Sequence, residues 1–419
     1  MRKREGYVIV AASWALVSAF GALPFVFHGA IPSYTDAFFE TISGFTTTGA
    51  SVLNNIEQIP RGLLFWRSMT HWLGGMGIIV LSLAVLPLLG VGGSQLFDAE
   101  ATGPVKDKIH PQIAGTAKRL WGIYVALTLV LTILLMLGGM TFFDSLCHAF
   151  STIATGGFST KQNSIAFYSS PYIQYVLIFF MFLAGTNFSL HYHALHGRPR
   201  NYFRDEEFRW YLVITLGLTV FVFFMILMND AQANTEKSFR DSAFQVVSII
   251  SSTGFITADY EKWSSYSSYV FFIMLFFGAS AGSTTGGIKI VRLLLLAKNG
   301  ILELKRLIHP RAVVPVRING RMVPQNIINN ILAFFMLYML AFVIGSLVMS
   351  FTGLDLDSAM GAVAATLGCI GPGIGKVGPV HNFAEITDFG KWVLSFLMLL
   401  GRLELFTILV LFSPSFWKH

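Results

Sequence analysis

Two kinds of apolar segment alternate along the chain. Long runs lie near residues 7–28, 61–89, 119–140, 171–195, 209–228, 266–297, 325–350 and 390–412. Each reaches the roughly 20 residues that a helix needs to cross a bilayer. Between the members of each pair lies an apolar segment of about ten residues: 36–45, 144–153, 241–250 and 357–367. A short polar run follows each one, at 46–51, 154–159, 251–257 and 368–375. Ten residues cannot span, so these segments are predicted to be re-entrant. Non-helical backbone at that depth persists only where it is buried in protein or lines water. The first long run follows Met1-Arg2-Lys3-Arg4 and has the outline of a signal peptide. Its length, the poor cleavage site at Ser18-Ala19-Phe20 and its place in the pattern make it a spanning helix.

The short segments repeat one another. Asp36-Ala37 precedes Gly49 by thirteen residues, Asp144-Ser145 precedes Gly157 by thirteen, and Asp241-Ser242 precedes Gly254 by thirteen. Asp357-Ser358 precedes Gly371 by fourteen. A fixed internal spacing is the mark of a repeat architecture. The expected fold is an all-α polytopic membrane protein. Four helix–re-entrant loop–helix repeats, near 1–95, 110–200, 205–300 and 322–415, are arranged with pseudo-fourfold symmetry around one central pore as a single domain.

Composition agrees with this. The chain of 419 residues is 54% hydrophobic and 12% charged, with a mean hydropathy of +0.63, where a soluble domain carries about 25% charged residues. The net charge of +7 is unevenly placed. Lys and Arg number three, four, four and eight in residues 2–4, 92–119, 197–209 and 289–324. They number one, one, three and two in the alternate connections 29–62, 141–170, 229–268 and 352–391. By the positive-inside rule both termini and the long connections are expected in the cytoplasm, with the short segments entering from outside. The charge is topogenic, which excludes nucleic acid as the partner and leaves the lipid bilayer. Cys147 and Cys369 both lie in apolar repeat segments and read as buried small residues.

The polar runs carry the candidate chemistry. Asp at the head of each short segment is expected to cap a helix, whose dipole leaves partial negative charge at the C-terminal end. The residues that follow are small and lack carboxylates: Thr47, Thr48 and Gly49; Thr155, Gly156 and Gly157; Ser252, Thr253 and Gly254; Cys369, Ile370 and Gly371. Calcium or magnesium would call for acidic side chains. Backbone carbonyls remain as the ligands, and a ring of them replaces the hydration shell of a monovalent cation. Glycine permits the backbone angles that aim successive carbonyls inward.

A second feature interrupts the long run 266–297. Gly278, Ala279, Ser280, Ala281, Gly282, Ser283, Thr284, Thr285, Gly286 and Gly287 are all small, and Lys289 follows. Such a stretch cannot stay regularly helical, and broken helices at membrane depth mark transport paths. Arg402, expected near the middle of the last helix, is a charge at a depth where charges are functional by default. Glu404 lies about 200° from it around the helix and is poorly placed to pair with it. His191, His193 and His196 point to different helix faces and lead into a basic connection, so they are expected to be solvated. Arg67 and His71 share a helix face, and they are expected to be structural near the outer water layer. No nucleotide-binding, metalloprotease or nucleophile motif stands in a supporting context, nor does any paired Ser/His or Asp/Asp set lie at membrane depth, so an enzyme is not expected.

The chain resembles the Trk/Ktr/HKT potassium transporter superfamily, and within it the bacterial Trk-type uptake subunits, proteins of the TrkH type. The resemblance is carried by Ser43-Gly44-Phe45-Thr46-Thr47-Thr48-Gly49-Ala50, Trp72-Leu73-Gly74-Gly75-Met76-Gly77-Ile78, Phe97-Asp98-Ala99-Glu100 and Lys106-Asp107-Lys108. It continues through Gly282-Ser283-Thr284-Thr285-Gly286-Gly287-Ile288-Lys289, Gly371-Pro372-Gly373-Ile374-Gly375 and Gly401-Arg402-Leu403-Glu404-Leu405. It covers essentially the whole chain. Relatives usually carry two further helices ahead of the first repeat, so these are expected to be absent or trimmed here. The resemblance implies uptake of K+ across the bacterial inner membrane. It implies a filter at Gly49, Gly157, Gly254 and Gly371, where glycine in all four positions goes with potassium rather than sodium. It also implies a gating loop at 278–287 below the filter, with Arg402 paired to it as a barrier to ion flow, a homodimer with one pore per subunit, and a cytoplasmic TrkA-type nucleotide-binding regulatory subunit. The fourth loop, with its extra residue, departs most from a potassium-channel loop, so selectivity is expected to rest mainly on the glycine ring. A proton- or sodium-coupled symporter is the alternative. Its inverted repeats do not fit four repeats running in one direction.

Overall fold

The structure, a computed structural model, describes residues 3–84, 109–229, 234–264, 266–310 and 314–417. In the first repeat, α1 (Lys3–Gly21) and α2 (Leu23–His28) meet at Ala22, where Pro24 opens the second helix. The short α3 (Tyr34–Phe45) then leads through a polar loop to α4 (Arg61–Ala84). The rest of the expected 61–89 run, and the motifs at 97–100 and 106–108, lie outside the described residues. The second repeat holds α5 (Ile109–Leu137), α6 (Phe142–Ile153), α7 (Pro171–Ala184) and α8 (Phe188–Leu195). A short α9 (Arg200–Arg204) connects it to the third, made of α10 (Glu206–Asn229), α11 (Thr235–Ile250), α12 (Ser267–Met274) and α13 (Ile290–Ile308). A two-stranded antiparallel hairpin, β1 (Arg317–Ile318) and β2 (Arg321–Met322), precedes the fourth. That repeat holds α14 (Gln325–Ser350), α15 (Leu356–Leu367), α16 (Asp388–Arg402) and α17 (Leu405–Leu409).

The first helix of every repeat is long and apolar enough to cross a membrane. Their outer faces expose large apolar side chains, among them Ile133, Phe221, Phe224, Met336 and Val343. That pattern suits a lipid solvent, in which the backbone must be satisfied within the helix. The second helices are less regular than the hydropathy pattern predicts. The expected run 171–195 bends by 101° between α7 and α8, and the run 390–412 bends by 116° after Arg402. The run 266–297 breaks as expected. Apolar runs report length in lipid and carry no signal for a change of direction. The local signals were Gly185 at the end of α7 and the Asn187 cap that starts α8.

Helices α3, α6, α11 and α15 are the short segments, and all are deeply buried. Their caps are not the Asp residues expected. Ser33, Thr141, Asn234 and Asp355 cap them, accepting from the backbone N–H of Asp36, Asp144, Lys237 and Ser358. Asp36, Asp144 and Asp357 stand in the first turn, where a carboxylate still favours the dipole. Helix α11 begins earlier than its counterparts, so Asp241 falls in mid-helix.

In repeats one, two and four the second helix packs on the short helix of the next repeat: α4 on α6, α7 on α11, and α16 on α3. Between the third and fourth repeats, Phe276 packs on Phe342 of α14 with ring centroids 5.0 Å apart. Small residues permit the close approach. A Cβ on Gly75 of α4 would come within 2.6 Å of the Tyr124 hydroxyl and 2.9 Å of Ala154. The result is a pseudo-fourfold ring of repeats with the four short helices at its centre.

Candidate ion pathway

The four polar loops adopt one backbone conformation. Thr47, Thr155, Ser252 and Cys369 have φ of 51°, 55°, 49° and 51°, a left-handed conformation rare outside glycine. Two residues on, Gly49, Gly157, Gly254 and Gly371 have φ of 83°, 81°, 80° and 98°. The residue between each pair has a negative φ. Alternation of sign turns successive carbonyls to one side. The extra residue in the fourth repeat does not disturb this register.

The backbone amides explain how the conformation is held. The N–H groups of Thr46, Thr47 and Thr48 return to carbonyls of α3, at Ile42, Gly44 and Ser43. The amides of Ala154, Thr155 and Gly156 return in the same way to α6, those of Ser251, Ser252 and Thr253 to α11, and those of Gly368, Cys369 and Ile370 to α15. With the donors used backward, the carbonyls are left over. Among the described residues, no donor meets the carbonyls of residues 47–49, 155–157, 252–254 or 369–371. Buried carbonyls are rarely left unpaired.

The four loops also close on one another. A Cβ placed on Gly49 would overlap the Gly156 carbonyl, one on Gly157 the Thr253 carbonyl, and one on Gly254 the Ile370 carbonyl. On Gly371 it would stand 2.9 Å from the Thr48 carbonyl. The contacts run from repeat one to two, three, four and back to one. Eight of the twelve residues expected at the ring meet in these contacts, and Thr47, Thr155, Ser252 and Cys369 directly precede them in the chain.

A clamp fastens the ring at each seam. Between repeats one and two, buried Arg67 donates from Nε to Glu40 (2.6 Å) and from Nη1 to the Ser159 carbonyl (2.9 Å). Its guanidinium lies 3.6 Å from the Phe158 ring centroid. Glu40 also accepts from the Val52 amide (2.9 Å) and the Ser51 hydroxyl (3.0 Å). Between two and three, the Ala166 amide donates to Ile256 and the Ile256 amide to the Ser164 hydroxyl. Between three and four, the Tyr260 hydroxyl donates to the Gly373 carbonyl (2.6 Å) and the Gly375 amide to Glu261 (2.9 Å). Between four and one, Lys391 pairs with Asp36 at 2.6 Å. Arg67 and His71 are thus buried behind the ring, with His71 stacked on Phe158, in the structural role expected of them. Sequence reasoning missed Glu40, although a Glu inside an apolar re-entrant segment was the available signal.

On the capping side of the short helices lies a recess of about 710 Å³, lined by Glu261, Asp355, Glu385, Lys376 and His381 among others. On the opposite side, the segment 278–287 folds as a closed loop. Its neck is pinned by a parallel bridge between Phe277 and Ile288, with the Gly278 amide donating to the Ile288 carbonyl. The loop lies against the C-terminal ends of three short helices. The Thr284 hydroxyl donates to the Ile153 carbonyl (3.1 Å), and the Gly286 amide donates to the Ser252 hydroxyl (2.8 Å). A Cβ on Gly286 would overlap the Gly368 carbonyl and come within 2.7 Å of the Cys369 Cβ.

Two cations sit on this loop. Arg402 is the last residue of α16, at the bend, and not the middle of a continuous helix as expected. Its Nη1 donates to the Thr284 carbonyl (2.6 Å) and its Nη2 to the Gly74 carbonyl of α4 (3.4 Å). Lys289 donates from Nζ to the Thr285 carbonyl and to the Thr285 hydroxyl at 2.9 Å. Glu404 pairs with Arg292 and not with Arg402, and it starts α17 with a φ of 60°. Of the three histidines, His191 is buried and not solvated, bonded to the Tyr202 hydroxyl (2.5 Å) and the Leu183 carbonyl (2.9 Å). No metal-binding cluster is present among the described residues.

Comparison with known proteins finds similarity over the whole chain. The family model TrkH, described as a cation transport protein, matches residues 1–419. The Trk system potassium uptake protein TrkH of Salmonella typhimurium is 44% identical over 100% of this chain and 87% of its own length. The Trk system potassium uptake protein TrkG of Escherichia coli is 36% identical over 100% of this chain and 86% of its own. The crystal structure of the potassium transporter TrkH from Vibrio parahaemolyticus superposes with a TM-score of 0.91 at 40% identity, covering 100% of this chain and 86% of that one. With the family model matched over residues 1–419 and its relatives similar over the full length of the chain, this chain belongs to the TrkH family of cation transport proteins.

Proposed function

We propose that the chain takes up potassium across the bacterial cytoplasmic membrane by conduction through the carbonyl ring. The loop 278–287 closes the path beneath the ring, and Arg402 and Lys289 hold it shut. The observation that carries this reading is the cyclic packing of Gly49, Gly157, Gly254 and Gly371 against unpaired carbonyls of the next repeat. Neutral carbonyls in a close ring replace the hydration of a monovalent ion, and the absence of carboxylates from the loops disfavours divalent cations. Arg402 and Lys289 place positive charge on the carbonyls of Thr284 and Thr285, directly below the ring, which is an electrostatic barrier to a cation. In this reading the recess lined by Glu261, Asp355 and Glu385 faces outside and concentrates cations, while the termini and the hairpin face the cytoplasm. The unit is a homodimer with a pore in each subunit, regulated by a TrkA-type nucleotide-binding subunit on the cytoplasmic face.

The test is growth of an uptake-deficient strain on limiting potassium, together with rubidium influx. The chain is expected to restore growth, and Gly49→Asp is expected to abolish influx, because its side chain would occupy the Gly156 carbonyl position. Gly62→Ala, at a glycine with no atom within 4 Å of a built Cβ, is expected to leave influx intact. No rescue, with rubidium influx unaffected by Gly49→Asp, would overturn the reading.

A further inference from the structure

Asp205, Glu206 and Glu207 are consecutive, and they face two different structures. The first two meet the β1–β2 hairpin. Asn319, at its tip with a φ of 49°, accepts from the Glu206 amide through Oδ1 (2.7 Å). Its own amide donates to Glu206 Oε2 (3.1 Å), and its Nδ2 donates to Asp205 Oδ2 (3.0 Å). Lys298 of α13 joins the same group, paired with Glu206 and donating to the Arg317 carbonyl (2.8 Å). The hairpin therefore caps the start of α10 with three hydrogen bonds.

Glu207 turns the other way and is buried. Its Oε1 accepts from the Ala281 amide (2.7 Å), inside the 278–287 loop, and from the Val291 amide (3.3 Å), in the first turn of the helix that leaves the loop. One oxygen thus holds the loop and its exit helix to the same point of α10. Other ties of the loop run to the bend of repeat two, from the Ser280 amide to the Gly185 carbonyl, from the Phe188 amide to the Gly282 carbonyl and from the Thr284 hydroxyl to the Ala184 carbonyl (3.4 Å). Glu207 is the side chain among them that stands next in the chain to the hairpin's clamp.

We propose that Glu207 is the latch that keeps the loop across the pore, and that the hairpin sets this latch through Asn319. The proposal rests on reading 278–287 as the gate. Glu207 is a positioning residue: it acts through the Ala281 and Val291 amides and touches no ion. Displacing the hairpin releases the cap of α10, and the rigid first turn of α10 carries that movement one residue further, to the carboxyl that holds the loop. The exposed Arg317 and Arg321 flank Asn319 and give a protein with an acidic surface a place to act.

The experiment uses the full chain in phosphatidylethanolamine–phosphatidylglycerol vesicles, with rubidium influx and its ratio to sodium influx as readouts. Glu207→Ala is expected to raise rubidium influx by about tenfold, the effect of two lost buried hydrogen bonds on an open–closed equilibrium. Asn319→Ala is expected to raise it by about threefold, and the double variant no further than Glu207→Ala alone. The rubidium-to-sodium ratio stays unchanged in all three, and Glu207→Gln, which keeps an oxygen acceptor, stays within about twofold of the unmodified chain. Unchanged influx in both single variants, or a ratio that shifts with influx, overturns the latch. Additive effects overturn its link to the hairpin. If Glu207→Ala does not fold, Asn319→Ala on the hairpin decides alone. Arg402→Ala separates the two readings. If it raises influx while Glu207→Ala and Asn319→Ala do not, the latch fails and the gate stands. If Arg402→Ala also leaves influx unchanged, the gate reading itself fails.

Discussion

Arg67 and Glu40 show what a single pair contributes to the ring. Both side chains are buried, at 3% and 1% exposure, so neither charge is solvated and each depends on the other. Such a pair is not in itself a large source of stability, since desolvation offsets most of the attraction. Its effect lies in direction: Arg67 reaches the Ser159 carbonyl of the second loop while Glu40 holds Ser51 and Val52 of the first. Removing one partner strands the other. Arg67→Ala is expected to cost about 3–5 kcal/mol, and the Glu40→Gln, Arg67→Met double variant clearly less than the sum of its single changes. Reversible unfolding in mixed detergent micelles measures this; additive single-variant costs would show that the two residues act separately. The ring residues themselves were legible, because glycine at a fixed distance from a repeated segment is a local signal. The clamp was not legible, because it joins residues 27 and 92 positions apart and only the folded repeats bring them together.

At the scale of elements, the four short helices were readable as segments but not at their ends. Sequence reasoning placed the cap at each Asp because Asp is a good cap and stood next to the apolar run. The chain instead uses the polar residue that precedes it, so that Asp36 and Asp144 supply charge to the first turn rather than the cap. In the fourth repeat the cap is itself an Asp. Hydrogen bonding from Ser358 holds the Asp355 carboxyl below its usual range. A folded-state pKa below the unfolded one gives stability that is present above the unfolded value and lost as pH falls through the folded one. Asp355→Ala is therefore expected to cost about 1 kcal/mol at neutral pH. The difference from the unmodified chain should shrink below about pH 4, where the unfolded carboxyl protonates. Melting curves of the two proteins at pH 7 and pH 3.5 test this, and a difference that persists undiminished at the lower pH would count against a charged cap. The bends after α7 and α16 did not show in the hydropathy pattern, for another reason. Hydropathy sums over a window, and Glu404 at φ 60° changes the direction of the chain without changing that sum.

For the whole molecule, the repeat and its closure follow from the chain alone, while orientation comes from charge counting and admits a direct check. The basic connection 197–209 meets the hairpin through Asp205 and Glu206, and the recess with Glu261, Asp355 and Glu385 lies at the caps of the short helices. If uptake runs from recess to loop, the recess faces outside. A cation then meets carboxylates first, loses water at the ring, and reaches the loop last, so the gate answers to the cytoplasm. Cysteine chemistry can read this orientation because Cys147 and Cys369 are both buried and contribute little background. Val380, 57% exposed at the recess, and Met322, 64% exposed on the hairpin, are the positions to label. In intact cells a membrane-impermeant maleimide is expected to react with Val380→Cys and not with Met322→Cys, and in inverted vesicles the order should reverse. The opposite result would place the loop and its cations toward the outside. Arg402 and Lys289 would then meet an incoming cation before the ring does, and a gate under cytoplasmic control could not be built on the hairpin.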